Sequence, residues 1–395
     1  MKVLIVNTDY SEFLGALYRS HPGLEGESYE RQLRVRYASL FGVADFYSRN
    51  LRDLGHEAYD LYVNNLSLQR AWEHEHRANA RKPESARVLT RGVKHAMDWV
   101  ERACHPRIRS LAHSAWRRIV SQNDDGRRIL KEQIKEYRPD VLLNQAMDGV
   151  ESEWLVTVKP WVRLLVGQHA ATPLADDEDY RCYDLVVSSF QPTVEFFQRK
   201  GIPAVLHRLA FDSAALLQEG NLEIVYPVTF VGSLSTVHQS RIDWLERLCE
   251  TVPELRVWGP GVERIPTQSP LRRRHMGIVW GRDMYRILRR SSITLNHHGD
   301  VPPFANNCRL FEATGMGAML ITDWKANLQE IFQDGKEVVT YRSTEECAER
   351  IRYYLEHDGQ RVVIAEAGKA RTLRDHTYRK RMQEFVDIVQ DRLAA

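Results

Sequence analysis

The stretch NNCRLFEATGMGAMLITD, residues 306–323, changes from polar to apolar along its length. It reads as a turn, then a short helix, then an unbroken apolar run over 318–322 of strand length. Phe311, Thr314 and Gly315 form the packed face of that helix, and Gly315 and Gly317 break it. Polar residues gather at the helix start, where unpaired backbone N–H groups and the positive dipole end meet an anion. Glu312 lies one turn in, placed to accept hydrogen bonds from a neutral diol. Together these suit a nucleotide sugar, with the diphosphate on the N–H groups and the ribose on the carboxylate.

Around this stretch the chain alternates strand and helix. In the second half, strands are expected at 228–232, 255–259, 293–296, 318–322 and 337–341, with a short extended piece at 277–281. Helices are expected at 239–250, at 283–290 with Asp283 as N-cap, at 344–356 opened by Thr344, and at 361–374 and 378–393. The first half carries strands at 2–7, 57–63, 139–144, 163–169, 184–189 and 203–207. Residues 10–29 read as a loop with short turns. A helix over 37–54 stops at Gly55, and one over 193–200 stops at Gly201.

Residues 67–135 interrupt the rhythm with a helical, Arg- and His-rich insertion, in which Val93, Ala96, Met97, Val100 and Ala103 recur at helical spacing. Its Arg107, Arg109, Arg117, Arg118, Arg127 and Arg128 form a basic surface. That surface is either a plain solvated face or a contact for an anionic or membrane-adjacent acceptor.

Alternation of this kind predicts parallel sheets. The expected fold is α/β: two doubly wound Rossmann-like domains facing across a cleft. The domains are placed at 1–212 and 213–375, and 376–395 is a helix crossing back onto the first.

The length of 395 residues favours two domains, and 43% apolar with 27% charged residues supports a core in each. No apolar run reaches about eighteen residues, the length a membrane span needs. Met1 and Lys2 lead into a strand rather than a signal peptide, so a cytoplasmic location is expected, with peripheral attachment at the inner membrane face as its variant. Five scattered cysteines without a CxxC pair argue against a disulfide framework or a zinc site. A net charge of +2 is too small to point to nucleic acid. The oligomeric state is left open.

The second half resembles the bacterial glycosyltransferases of the spore-maturation CgeB-like type (glycosyl transferases group 1-like), which have the GT-B architecture. The resemblance is carried by Phe230-Val231-Gly232-Ser233-Leu234, Ile293-Thr294-Leu295-Asn296, Arg309-Leu310-Phe311-Glu312-Ala313 with Gly317, Ile331-Phe332, Gly335-Lys336-Glu337 and His376-Thr377-Tyr378. It implies a nucleotide-sugar donor held mainly by the second domain and an acceptor held by the first. It also implies no metal and no cofactor beyond the nucleotide-diphosphate sugar as co-substrate. The larger family with a Glu-x7-Glu motif would place its first acid at position 304, which is Phe304 here. Asn306, Asn307 and backbone amides stand in for it.

Each candidate residue has a plain rival. Glu312 holds the ribose, or is a first-turn Glu favouring the dipole. Arg309 pairs with the diphosphate through its forked donors, or bridges on the surface. Gly232 and Ser233 let a phosphate approach the backbone, or form an ordinary turn. Arg241 points back to the site, or is solvated. Trp280 and Gly281 stand where the resemblance implies a seat for the base, with Trp258 near; core packing is the rival.

Asn296, His297 and His298 end a strand and meet a phosphate or a sugar hydroxyl. A metal pair there is disfavoured because adjacent strand residues point to opposite faces. In the first domain, His169 is a general base or sugar contact, or a structural His. Asp9 and the loop through Gly15 shape an acceptor pocket. Asp148, Asp176, Asp177 and Asp179 are further carboxylates, and nothing in their spacing selects a base.

The expected activity is metal-independent transfer of a sugar to an acceptor hydroxyl. Its rivals are a nucleotide-sugar epimerase on the same fold and a non-catalytic binding or scaffold protein. A glycosidase with two facing acids fits worse.

Overall fold

The computed structural model describes residues 1–77, 124–170, 178–219, 222–234, 239–298 and 304–394. The first sheet contains β1 (Lys2–Asn7), β2 (Glu57–Tyr62), β3 (Val141–Asn144), β4 (Leu164–Gln168), β5 (Leu185–Ser188) and β6 (Ala204–Leu206), in the order β2-β1-β3-β4-β5-β6. The second contains β7 (Tyr226–Val231), β8 (Leu255–Trp258), β9 (Ser291–Asn296), β10 (Met319–Asp323) and β11 (Val339–Tyr341), in the order β11-β10-β9-β7-β8. The pairs are parallel, with Val3 opposite both Ala58 and Val141, and Ile293 opposite both Val228 and Met319. Val3 to Val6 and Met319 to Ile321 are wholly buried, which is why these strands read as continuous apolar runs rather than alternations. Two doubly wound parallel sheets are thus the architecture, as the alternating pattern predicts.

The chain forms two compact units. Of the described residues, those in 37–55, 188–196 and 204–395 cluster with the second sheet, and the others with the first. Within the second unit, the closing helix Tyr378–Ala394 packs on the helix Phe46–Asp53. The Tyr378 ring lies 5.4 Å from that of Phe46 and 5.3 Å from that of Tyr47. Among the described residues, no helix is long and apolar enough to cross a membrane.

Several local expectations are corrected. Residues 10–29 are not mainly loop, because Ser11–Ser20 is a helix with Phe13 and Leu17 buried at i,i+4, Glu12 in its first turn and Arg19 in its last. The helix expected over 37–54 is broken between Tyr29–Ala38 and Phe46–Asp53. Leu40, Gly42 and Ala44 there take φ of 53°, 61° and 40°, which no right-handed helix tolerates. Gly55, with φ of 85°, does stop the second piece.

Further on, 277–280 pairs into no strand, and the helix Gly281–Arg289 begins at Gly281 with Trp280 as N-cap, so Asp283 is a first-turn acid instead. Ser343, not Thr344, caps Thr344–Glu356, its hydroxyl accepting from the Glu346 N–H. Of the basic insertion, the helices Leu66–His76 and Asp124–Tyr137 are described. The apolar series Val93 to Ala103, Arg107, Arg109, Arg117 and Arg118 lie outside the described residues. Arg127 pairs with Glu151 and Arg128 with Glu73, so this part of the basic surface is neutralised.

Candidate functional site

In the second sheet the chain steps from β7 outward to β8, then returns to the other flank of β7 with β9. The loops after β7 and β9 therefore diverge and leave a crevice at their carboxyl ends, the place where open parallel sheets bind ligands. Gly232 and Ser233 follow β7; Asn296 ends β9, and His297 and His298 follow it.

Arg241 spans this switch point. It is buried in the helix Gln239–Thr251, and its guanidinium donates to the Ser233 carbonyl at 3.2 Å and to the His297 carbonyl at 3.0 Å. One forked side chain thus ties together the two loops that diverge. Arg241 points back from its helix, but these donors reach backbone.

The helix Arg309–Met316 starts at the same edge. Arg309 donates to Glu312 Oε2 at 2.6 Å and to the Val231 carbonyl at 3.2 Å, and the two side chains are only 15% and 12% exposed. The Tyr285 hydroxyl stands 3.5 Å from the other Glu312 oxygen. Burial, reinforced by the Glu312 charge, holds that phenol well above its ordinary pKa, so it is a donor throughout the physiological range. Glu312 is consequently an oriented, largely enclosed carboxylate, and Arg309 is a cation already engaged with it.

Asn307 accepts from the Leu310 N–H at 3.3 Å, capping one free donor of the helix start. Its amide donates to Asn296 Oδ1 at 2.8 Å, and Asn296 donates to Thr322 Oγ1 at 2.9 Å. Both side chains are thereby occupied in tying the helix start to β9 and β10.

The adjacent histidines separate. His297 lies against Trp244, ring centroids 4.9 Å apart, and burial lowers its pKa to about 4 despite the opposing pull of Asp323, so it is neutral at pH 7. His298 is buried with Nδ1 2.6 Å from Asp323 Oδ1, which also accepts the His298 backbone N–H at 3.0 Å. Its Nε2 is buried with no hydrogen-bond partner among the described residues. Burial would raise the Asp323 pKa. The hydrogen bond from His298 and the charges of His298, His297 and Lys325 outweigh that and hold the carboxyl well below its usual range. Asp323 was not singled out by its sequence; its one signal is a carboxylate at the end of an apolar strand.

Trp280 and Gly281 lie at the start of the helix Gly281–Arg289. Trp280 meets Phe41 edge-on at 5.3 Å, and a Cβ on Gly281 would lie 2.1 Å from the Ser39 carbonyl oxygen. That glycine is needed for backbone approach within the unit. Trp258 is 4% exposed and packs on Tyr226, a core role.

In the first unit, the switch point lies between β1 and β3. A chain of amides crosses it, from Asn7 to Gln145 at 2.8 Å and from Gln145 to Gln168 at 2.8 Å, none of them anticipated from sequence. Asp9 is a buried partner of Arg36, receiving two hydrogen bonds at 2.8 and 2.6 Å, and so is bound into the core. Gly15 lies mid-helix rather than in a loop. His169 follows β4, buried, with Nδ1 4.0 Å from Asp148 Oδ2. Exposed Asp179 is held down to about 2 by its hydrogen bonds from Arg181. Asp176 and Asp177 lie outside the described residues. Among the described residues, no group of three His, Cys, Asp or Glu side chains is arranged to hold a metal ion.

Residues 240–387 match a protein-family model described as glycosyl transferase-like. No curated protein matches the sequence. Solved structures match over the whole chain. Sucrose-phosphate synthase from Thermosynechococcus elongatus is 10% identical, with a TM-score of 0.58 and coverage of 100% of this chain and 99% of its own. HepE of Anabaena, solved with UDP-glucose, is 13% identical, with a TM-score of 0.57 and coverage of 99% and 100%. A glycosyltransferase from Rickettsia africae is 12% identical, with a TM-score of 0.56 and coverage of 99% and 98%. The chain shares the two-domain α/β fold of these proteins, the GT-B architecture.

Proposed function

We propose that this protein is a glycosyltransferase that moves a sugar from a nucleotide-diphosphate donor to an acceptor hydroxyl. The observation that carries the reading is the Arg309–Glu312 pair at the carboxyl ends of β7 and β9, inside the segment that matches the glycosyl transferase-like family. Glu312 presents an oriented carboxylate to the ribose hydroxyls, and the helix start beside it faces the diphosphate. Charge grows on the diphosphate as the glycosidic bond breaks. Fixed backbone and cationic donors at a sheet edge stabilise that charge without reorganising. In this reading the reaction needs no metal and persists in chelator. HepE was solved with UDP-glucose, which makes UDP the first base to try.

The test is a thermal-shift panel of UDP, GDP, dTDP, ADP and CMP against the wild type and Glu312→Ala. Saturation at a hundred times Kd stabilises the folded state by about 2.7 kcal/mol. A shift with one diphosphate, reduced in the variant, supports the donor site and names the base. No shift with any nucleotide overturns it.

A further inference from the structure

A second concavity lies in the same unit, at the carboxyl ends of β10 and β11 and between the starts of the helices Gln239–Thr251 and Thr344–Glu356. Its volume is about 490 Å³, within the range of small-molecule sites. Arg247, Lys325 and Arg342 line it with Asp243 and Asp323. Asp323 already serves His298 and Lys325, at 2.6 and 3.2 Å. Neither Arg247 nor Arg342 has an ion pair among the described residues. Exposed Glu345 and half-buried Glu346 stand at the adjoining helix start. Glu345 bonds its own N–H and Ser343 and feels the Arg247 charge from beyond ion-pair distance, and Glu346 takes the Arg342 backbone N–H and pairs with Arg350 at 3.3 Å.

One feature goes beyond a solvated basic face. Arg342 lies over the Trp324 ring, 3.9 Å from its centroid, while Trp324 stays 42% exposed, so a guanidinium and an indole are presented together. An aromatic platform suits the apolar face of a sugar ring, and unpaired guanidinium groups suit a phosphate or carboxylate.

We propose that this cavity binds an anionic sugar, one carrying a phosphate or a carboxylate, at a site separate from the Glu312 crevice. The proposal does not depend on the nucleotide reading, because it uses no residue of the Arg309–Glu312 pair. His297 joins the two places: its side chain lines the cavity and its carbonyl holds Arg241 at the switch point.

The experiment is calorimetric titration of the full chain with glucose 1-phosphate, glucuronate, glucose and inorganic phosphate, repeated on Arg342→Ala, Arg247→Ala and Glu312→Ala. The two arginines are exposed, so their removal spares the core. Binding of glucose 1-phosphate or glucuronate is expected, weakened at least about tenfold in both arginine variants and retained in Glu312→Ala, with glucose far weaker. Preference between the two anions tells phosphate from carboxylate. Three results overturn the proposal: no binding of either anionic sugar, binding that survives both arginine variants, or inorganic phosphate binding as tightly as the sugars. A negative nucleotide panel leaves this outcome untouched.

Discussion

Arg309 Nη1 stands 2.6 Å from Glu312 Oε2, one helical turn along the same helix, while its Nε reaches across to the Val231 carbonyl at 3.2 Å. The carboxylate is therefore aimed by a cation that is itself anchored to the end of β7. Replacing Glu312 with Ala leaves a largely enclosed guanidinium without its carboxylate, a loss of about 1–3 kcal/mol. Glu312→Gln keeps the shape and restores part of that stability. Both variants weaken nucleotide binding, since a neutral amide accepts a diol poorly. Urea denaturation alongside nucleotide titration separates the two effects; a Gln variant that binds nucleotide like the wild type contradicts the assigned role.

Arg241 is the clamp between the loops after β7 and β9. Arg241→Lys retains the charge but presents a point donor that does not fork to Ser233 and His297 together. We expect a loss of about 1–3 kcal/mol and faster amide exchange in the residues around Leu234 and His297. Unchanged exchange in that variant shows that the loops hold without the clamp.

Acid sensitivity is built into the β9–β10 edge. His297 has a folded pKa of about 4 against an ordinary 6.5, so the unfolded chain binds more protons between those values. Its contribution to stability is present above about pH 6.5 and is lost as pH falls toward 4. Asp323 is depressed further, so its contribution is lost only below the ordinary carboxylate value of about 3.9. His297→Gln flattens the first window and Asp323→Asn the second. Denaturation midpoints measured from pH 7 to 3 check both, and a profile that His297→Gln leaves unaltered from pH 6.5 to 4 refutes the first.

Gly315 is wedged against Phe211. A Cβ there would lie 2.5 Å from the phenyl ring, so Gly315→Ala overpacks and costs about 1–3 kcal/mol. Adding Phe211→Leu relieves part of the clash. The double variant should be more stable than the sum of the two single losses, which a double-mutant cycle measures.

The features legible before folding are those governed by neighbours along the chain. The wholly buried strands read as apolar runs because both their faces are covered, and Gly55 marked a helix end because few residues accept its positive φ. The residues Arg309 and Glu312 were singled out separately, for the diphosphate and the ribose, and their ion pair was not, although i,i+3 residues on one helix face each other.

Tertiary structure decided the rest. His298 finds Asp323 only because β9 and β10 lie side by side with their ends level. Asp9, expected at an acceptor pocket, is claimed by Arg36, and Asn296 and Asn307 by one another. Leu40 and Ala44 take left-handed conformations that break the expected helix over 37–54. A polar side chain bonds whichever buried group lies within about 3 Å, and that partner is chosen by packing across the sheet, not by spacing along the chain.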